Sequence, residues 1–119
     1  MKKTLIIGAS TNPGRYAHEA AHRLKQKGNP IVQIGLRKGE VAGEPITLEK
    51  IFFEGIDTVT LYVEPRHQVE YYNYLVGLQP KRVIFNPGTE NPELEELLKK
   101  NGIEAIEACT LVMLSTEQY

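Results

Sequence analysis

Five short runs of apolar, β-branched or aromatic residues recur along the chain, at residues 5–7, 31–34, 58–63, 82–85 and 103–106, with helical spacing between most of them. Runs this short and this continuously apolar suit strands covered on both faces, as in a parallel sheet. Strands that alternate with helices through short joints fold as one sheet between two helix layers. The expectation is therefore an α/β domain over residues 1–119, with three layers and an open, parallel, five-stranded sheet in the order 3-2-1-4-5. At this size roughly 60 to 70% of the unfolded chain's surface can be buried, which is enough for one core.

The helical segments carry their own start and stop signals. Ala17, Ala20, Ala21 and Leu24 recur at intervals of three and four, which makes one helix face over residues 13–27. Asn12 is expected as its N-cap, Pro13 at its first position and Gly28 as its stop. After a loop at 39–43, Thr47 is expected to cap a short helix over 48–53. Pro65 opens a third helix with Val69, Tyr72, Leu75 and Val76 inward. Asn91 and Pro92 open a fourth with Leu94, Leu97 and Leu98 inward, and residues 111–114 form a closing helical turn.

The joint between the first strand and first helix reads Gly8-Ala9-Ser10-Thr11-Asn12-Pro13-Gly14-Arg15. A strand, a glycine turn and a helix in that order aim backbone N–H groups and the positive end of the helix dipole at an anion. The six-residue interval from Gly8 to Gly14 departs from G-x-G-x-x-G and disfavours NAD. Ser10, Thr11 and Asn12 add polar donors, and Arg15 places a cation where the dipole prefers an anion, a mismatch that a bound phosphate resolves. The second strand ends in Gly35-Leu36-Arg37-Lys38, where an NAD site would put an acidic residue for the ribose. Arg37 and Lys38 thus point to a ligand with an extra phosphate on its adenosine end, against the plainer reading of a solvated basic pair. Asn86-Pro87-Gly88 closes the fourth strand on the same sheet edge, with Asn86 offered as a donor to the ligand or, equally, as part of an ordinary turn.

Other chemistries find little support. Lys plus Arg number 14 against 15 Asp plus Glu, so a net charge of -1 gives no general attraction to nucleic acid or anionic membranes. The single cysteine, Cys109, reads as an inert buried thiol. With no export-type apolar region, a reducing cytoplasm is the expected location. His18-Glu19-Ala20-Ala21-His22 spells the H-E-x-x-H string, yet its alanines belong to a packed face, so no metal site is expected. No serine elbow or acid and base pair appears, so an enzyme is the less favoured reading. Tyr71, Tyr72 and Tyr74 spread over more than one helix face and leave self-association or an unnamed protein partner open.

These residues together resemble a known family, the small stand-alone CoA-binding domain proteins, Rossmann-like relatives of the nucleotide-binding domain in the succinyl-CoA ligase alpha subunit. The markers are G-A-S-x-N-P-x-R at residues 8–15, the basic end of the second strand leading through Glu40 to Gly43, the amide-x-Gly element at 86–88, and Cys109. The resemblance covers residues 5–110. It implies that Gly8, Ala9, Ser10, Thr11, Asn12 and Arg15 hold the pyrophosphate of coenzyme A or an acyl-CoA. By the same resemblance Gly35, Arg37 and Lys38 meet the phosphorylated adenosine end, with Tyr62, Asn86, Pro87 and Gly88 completing the site. Three positions depart from the family pattern: Gly35-Leu36 stands for asparagine-proline, Val63 for an arginine, and Asn86 for a glutamine. An NADP-binding module related to reductases, and an interaction protein with a vestigial site, are the alternatives.

Overall fold

In a computed structural model describing residues 1–119, the sheet has seven strands in the order β3-β4-β2-β1-β5-β6-β7. The strands are β1 (Thr4–Ala9), β2 (Ile31–Gly35), β3 (Gly39–Val41), β4 (Glu44–Thr47), β5 (Thr58–Leu61), β6 (Arg82–Phe85) and β7 (Glu104–Glu107). All neighbours pair in parallel except β3 and β4, which form an antiparallel hairpin. This overturns the five-stranded parallel sheet in the order 3-2-1-4-5. Residues 39–47 hold two strands, and the expected helix over 48–53 does not form.

One cause accounts for both differences. Val41 and Ile46 are buried against the α1 face, so the segment after β2 finds its core contact as a hairpin. The buried amide of Gln33, on β2, donates to the carbonyls of Val41 at 3.2 Å and Glu44 at 3.1 Å and pins that hairpin at its turn. β4 then occupies the free edge of β2, with Gln33 opposite Ile46 and Ile34 opposite Thr47. The outer place beside β2 is filled, and β5 can pair only on the other side of β1. The following segment crosses to the helix layer instead of coiling, with the Phe52 ring tilted against that of Tyr74, centroids 5.3 Å apart, and the Tyr74 hydroxyl donating to the Ile51 carbonyl.

The helices are α1 (Tyr16–Gln26), α2 (Pro65–Gln68), α3 (Tyr72–Leu78), α4 (Pro92–Lys100) and α5 (Thr110–Ser115), with a 3-10 turn at Val69–Tyr71 joining α2 to α3. Strand alternation sends Leu5 and Ile7 to one core with Tyr71, Tyr74 and Leu75, Leu94 and Leu98. Ile6 goes to the other with Ala17, Ala20, Ala21, Leu24 and Leu114, and Ala9 joins it because the register shift between Ile7 and Ala9 breaks the alternation. The layers are thus α3 and α4 on one face, α1 and α5 on the other. The break between α2 and α3 shifts the inward face: Gln68 is buried and Val69, expected inside, is 60% exposed. α4 follows the expected scheme, with the Asn91 side chain accepting from Leu94 N and Pro92 in the first turn.

Candidate functional site

Placing β5 beside β1 sets where a ligand can enter. The chain leaves β1 toward β2 on one side and returns to β5 on the other, so the strand order reverses between β1 and β5, and the crevice above such a reversal is where open α/β sheets bind ligands. The turn at residues 8–15 stands at that point. Gly8 has φ +96, and a Cβ there would lie 2.9 Å from the backbone carbon and oxygen of Tyr62. Only glycine permits this contact, which sets the loops after β1 and β5 side by side.

The turn is wider than the spacing of its residues suggests. α1 begins at Tyr16 with Arg15 as its N-cap, in place of the expected Asn12 cap and Pro13 start. Asn12 instead folds the loop on itself, its Oδ1 accepting from Gly14 N at 2.9 Å while its own N–H donates to Ser10 Oγ at 3.0 Å. A local side-chain turn has displaced the helix cap, as short polar side chains readily do. Arg15 makes no side-chain capping bond, and the N–H groups of Thr11, Tyr16 and Ala17 donate to no other group of the chain. Arg15, Arg37 and Lys38 form no ion pair, whereas Arg23, Lys25, Lys50, Arg66 and Lys81 all do.

Two glycines bring the basic pair to this turn. A Cβ on Gly35 would collide with the Ala9 carbonyl oxygen and Ile46, and one on Gly39 would lie 2.5 Å from the Thr11 methyl carbon. The bend carrying Leu36, Arg37 and Lys38 is therefore anchored against residues 9–11, with Leu36 92% exposed at its tip.

The fourth element of the expected site is built differently. Asn86 is buried, and its Nδ2 donates to Thr60 Oγ1 at 2.7 Å and the Leu61 carbonyl at 2.8 Å. Its Oδ1 accepts from Thr110 N at 2.9 Å, and Thr110 Oγ1 meets Thr60 Oγ1 at 2.8 Å. With both amide hydrogens committed, Asn86 supports the loop and the start of α5, and it has no hydrogen left to donate to a ligand. Gly88, at φ +92, is exposed, with its N–H given to Glu90 Oε1. Tyr62 lends its backbone to the Gly8 contact, and its ring packs against the α1 and α5 core. The Tyr62 hydroxyl is buried beside the Thr60 and Thr110 hydroxyls without a hydrogen bond of full geometry, and burial pushes its pKa up to about 12.

Gln68 is a positioning residue that the sequence did not disclose. Its Nε2 donates to the carbonyls of Val63 at 2.9 Å and Thr89 at 2.7 Å, and its Oε1 accepts from Asn91 Nδ2 at 2.9 Å. It ties the loop after β5 to the loop after β6. The one signal for it is a glutamine on a helix face one position out of phase with Val69. The His18 and His22 rings lie 4.8 Å apart on α1, and no third metal-ligating side chain joins them.

An α/β domain with a phosphate-type turn at its strand reversal belongs to the nucleotide-binding class. The family described as CoA binding domain matches residues 2–115, and the chain belongs to that family. An uncharacterized protein of known crystal structure is 56% identical, with a TM-score of 0.98 over 100% of this chain and 98% of that one. A Thermus thermophilus protein superposes with a TM-score of 0.89 at 22% identity, over 99% of this chain and 90% of its own. A hypothetical protein from Pyrococcus horikoshii OT3 superposes at 0.88 and 24% identity, over 97% and 82%. The last two show the fold alone. No curated protein matches the chain significantly. No helix is long and apolar enough to cross a membrane.

Proposed function

We propose that the protein binds coenzyme A or an acyl-CoA, with the diphosphate seated over the turn at residues 8–15 and the 3'-phosphate toward Arg37 and Lys38. The observation that carries this reading is the set of undirected donors at one point: the N–H groups of Thr11, Tyr16 and Ala17 beside the unpaired guanidinium of Arg15. Each charge-assisted bond from such a group to a phosphate contributes about 1.5 to 3 kcal/mol, more than the ~0 to 1 kcal/mol of a surface ion pair. Gly8, Ala9, Ser10 and Asn12 shape the turn, Gly35 holds the basic bend against it, and Gly88 and Pro87 border the crevice on the β6 side. The donor set suits a phosphorylated dinucleotide-like ligand, and it includes no group assigned to bond breaking.

Titration calorimetry with coenzyme A, dephospho-coenzyme A, NADP, NAD and ATP tests it. Coenzyme A should bind most tightly, and loss of the 3'-phosphate should weaken binding. A preference for NADP transfers the same donors to the reductase-like alternative. Failure of all five at millimolar concentration, in a protein freed of nucleotide, favours an interaction protein in which Val63 marks a vestigial site.

A further inference from the structure

The loop after β5 carries a cation, Arg66, that the site described above does not use. Tyr62 lies against Gly8, so residues 63–67 leave the sheet directly beside the turn at 8–15, on the side of the crevice opposite Arg37 and Lys38. Within that loop Glu64 caps α2 in an extended conformation, and Pro65 fixes the first helical position. A single carboxylate oxygen, Glu64 Oε1, accepts from Arg66 Nε and lies 3.5 Å from His67 Nε2. The Arg66 side chain is nonetheless 78% exposed and that of Glu64 51%, and the two terminal guanidinium nitrogens of Arg66 meet no acceptor. An exposed pair of this kind contributes little to stability. The arrangement leaves the outer fork of an exposed guanidinium open while its inner nitrogen rests on a carboxylate, four residues beyond the contact of Tyr62 with Gly8.

We propose that Arg66 is a further phosphate-binding residue, and that Glu64 acts as its internal counter-ion, which the ligand's phosphate displaces or shares. This rests on the binding reading above and extends it: the ligand's anionic group is gripped from the loops of both β1 and β5. A guanidinium suits this task because its fork can keep one nitrogen on Glu64 while two others meet phosphate oxygens. Glu64 sets the affinity from the opposite direction. Its negative charge repels the ligand and competes for Arg66, so the loop binds an anion less tightly than it would with a neutral residue there.

Calorimetric titration of coenzyme A into the parent protein, Arg66→Ala, Arg66→Lys, Glu64→Gln and Arg15→Ala is the test. Arg66→Ala should weaken binding about tenfold, the worth of one charge-assisted bond, and Arg66→Lys should recover part of the loss. Glu64→Gln should tighten binding about two- to fivefold, the scale of one carboxylate charge acting across solvent. Both side chains are exposed, so melting temperatures should stay at the parent value. If Arg15→Ala weakens binding while Arg66→Ala leaves it unchanged, the β1 turn remains the phosphate site and the role of Arg66 is overturned. If Glu64→Gln binds no better than the parent, the counter-ion role is overturned. A parent protein that does not bind coenzyme A removes the binding reading and this extension together.

Discussion

Replacing Asn86 with alanine separates support of the site from contact with the ligand. The substitution removes three hydrogen bonds, at 2.7, 2.8 and 2.9 Å, from a residue that is 2% exposed. Thr60 Oγ1 keeps Thr110 Oγ1 as a partner, but the Thr110 N–H and the Leu61 carbonyl lose the amide in a region closed to water. An orphaned buried group costs about 1 to 3 kcal/mol and a lost net bond about 1, which puts the total near ~3 kcal/mol. For a domain of this size each kcal/mol lowers the melting temperature by about 4 °C, so a fall of about 12 °C is expected. Urea unfolding followed by far-ultraviolet circular dichroism should show a lower midpoint with an unchanged slope, the sign of lost stability in a cooperative fold. Coenzyme A binding, measured well below the transition, should change by less than a factor of about three, since no free hydrogen of Asn86 is removed. A variant that keeps its stability but loses binding would refute the assignment and return Asn86 to the ligand.

Arg15→Ala should weaken every diphosphate ligand to a similar extent, by about 1.5 to 3 kcal/mol, while the empty protein keeps its stability or gains about 0.3 to 1 kcal/mol at the helix N-terminus; calorimetry and thermal melts read both. Gly8→Ala should cost at least about 2 kcal/mol, from a left-handed backbone and the collision with Tyr62, and should abolish binding by parting the two loops, as urea unfolding and titration will show. Burial raises the Tyr62 pKa to about 12, so the unfolded chain releases that proton near pH 10 and the native state near 12; stability is intact below pH 10 and falls as pH rises between those values. Tyr62→Phe should therefore move the alkaline unfolding edge upward and cost almost nothing at pH 7, because the hydroxyl it removes makes no hydrogen bond of full geometry.

What was legible in the sequence was local. Apolar runs marked five of the seven strands, β1, β2, β5, β6 and β7, and Asn91-Pro92 and Gly102 bracketed α4 because a cap, a proline and a stop act within one turn of the helix. The sheet order was not legible, since it turns on β3 and β4, which carry a single buried apolar residue each, Val41 and Ile46, with Pro45 interrupting β4. The polar framework of the site was hidden for a related reason. Asn86 finds Thr60 and Thr110 at separations of 26 and 24 residues, and Gln68 finds Thr89 at 21, distances over which no spacing rule operates. The turn at 8–15 was recognisable by composition, but Asn12 was assigned to the wrong competitor: it serves the loop and leaves the helix N-terminus open. That open end is what a bound anion requires.

The hairpin that reordered the sheet also governs how copies of the protein can meet. One flank ends in β3, only three residues long with Gly39 and Glu40 exposed, and the other in β7, where Glu104 and Glu107 are exposed at either end. Short edges bearing negative charge resist the addition of a like strand from a neighbour, a common defence against ribbon-like aggregation. Any higher assembly of this chain is thereby directed to its helical faces and loops, and a continuous fourteen-stranded sheet across two copies is the one arrangement its borders oppose.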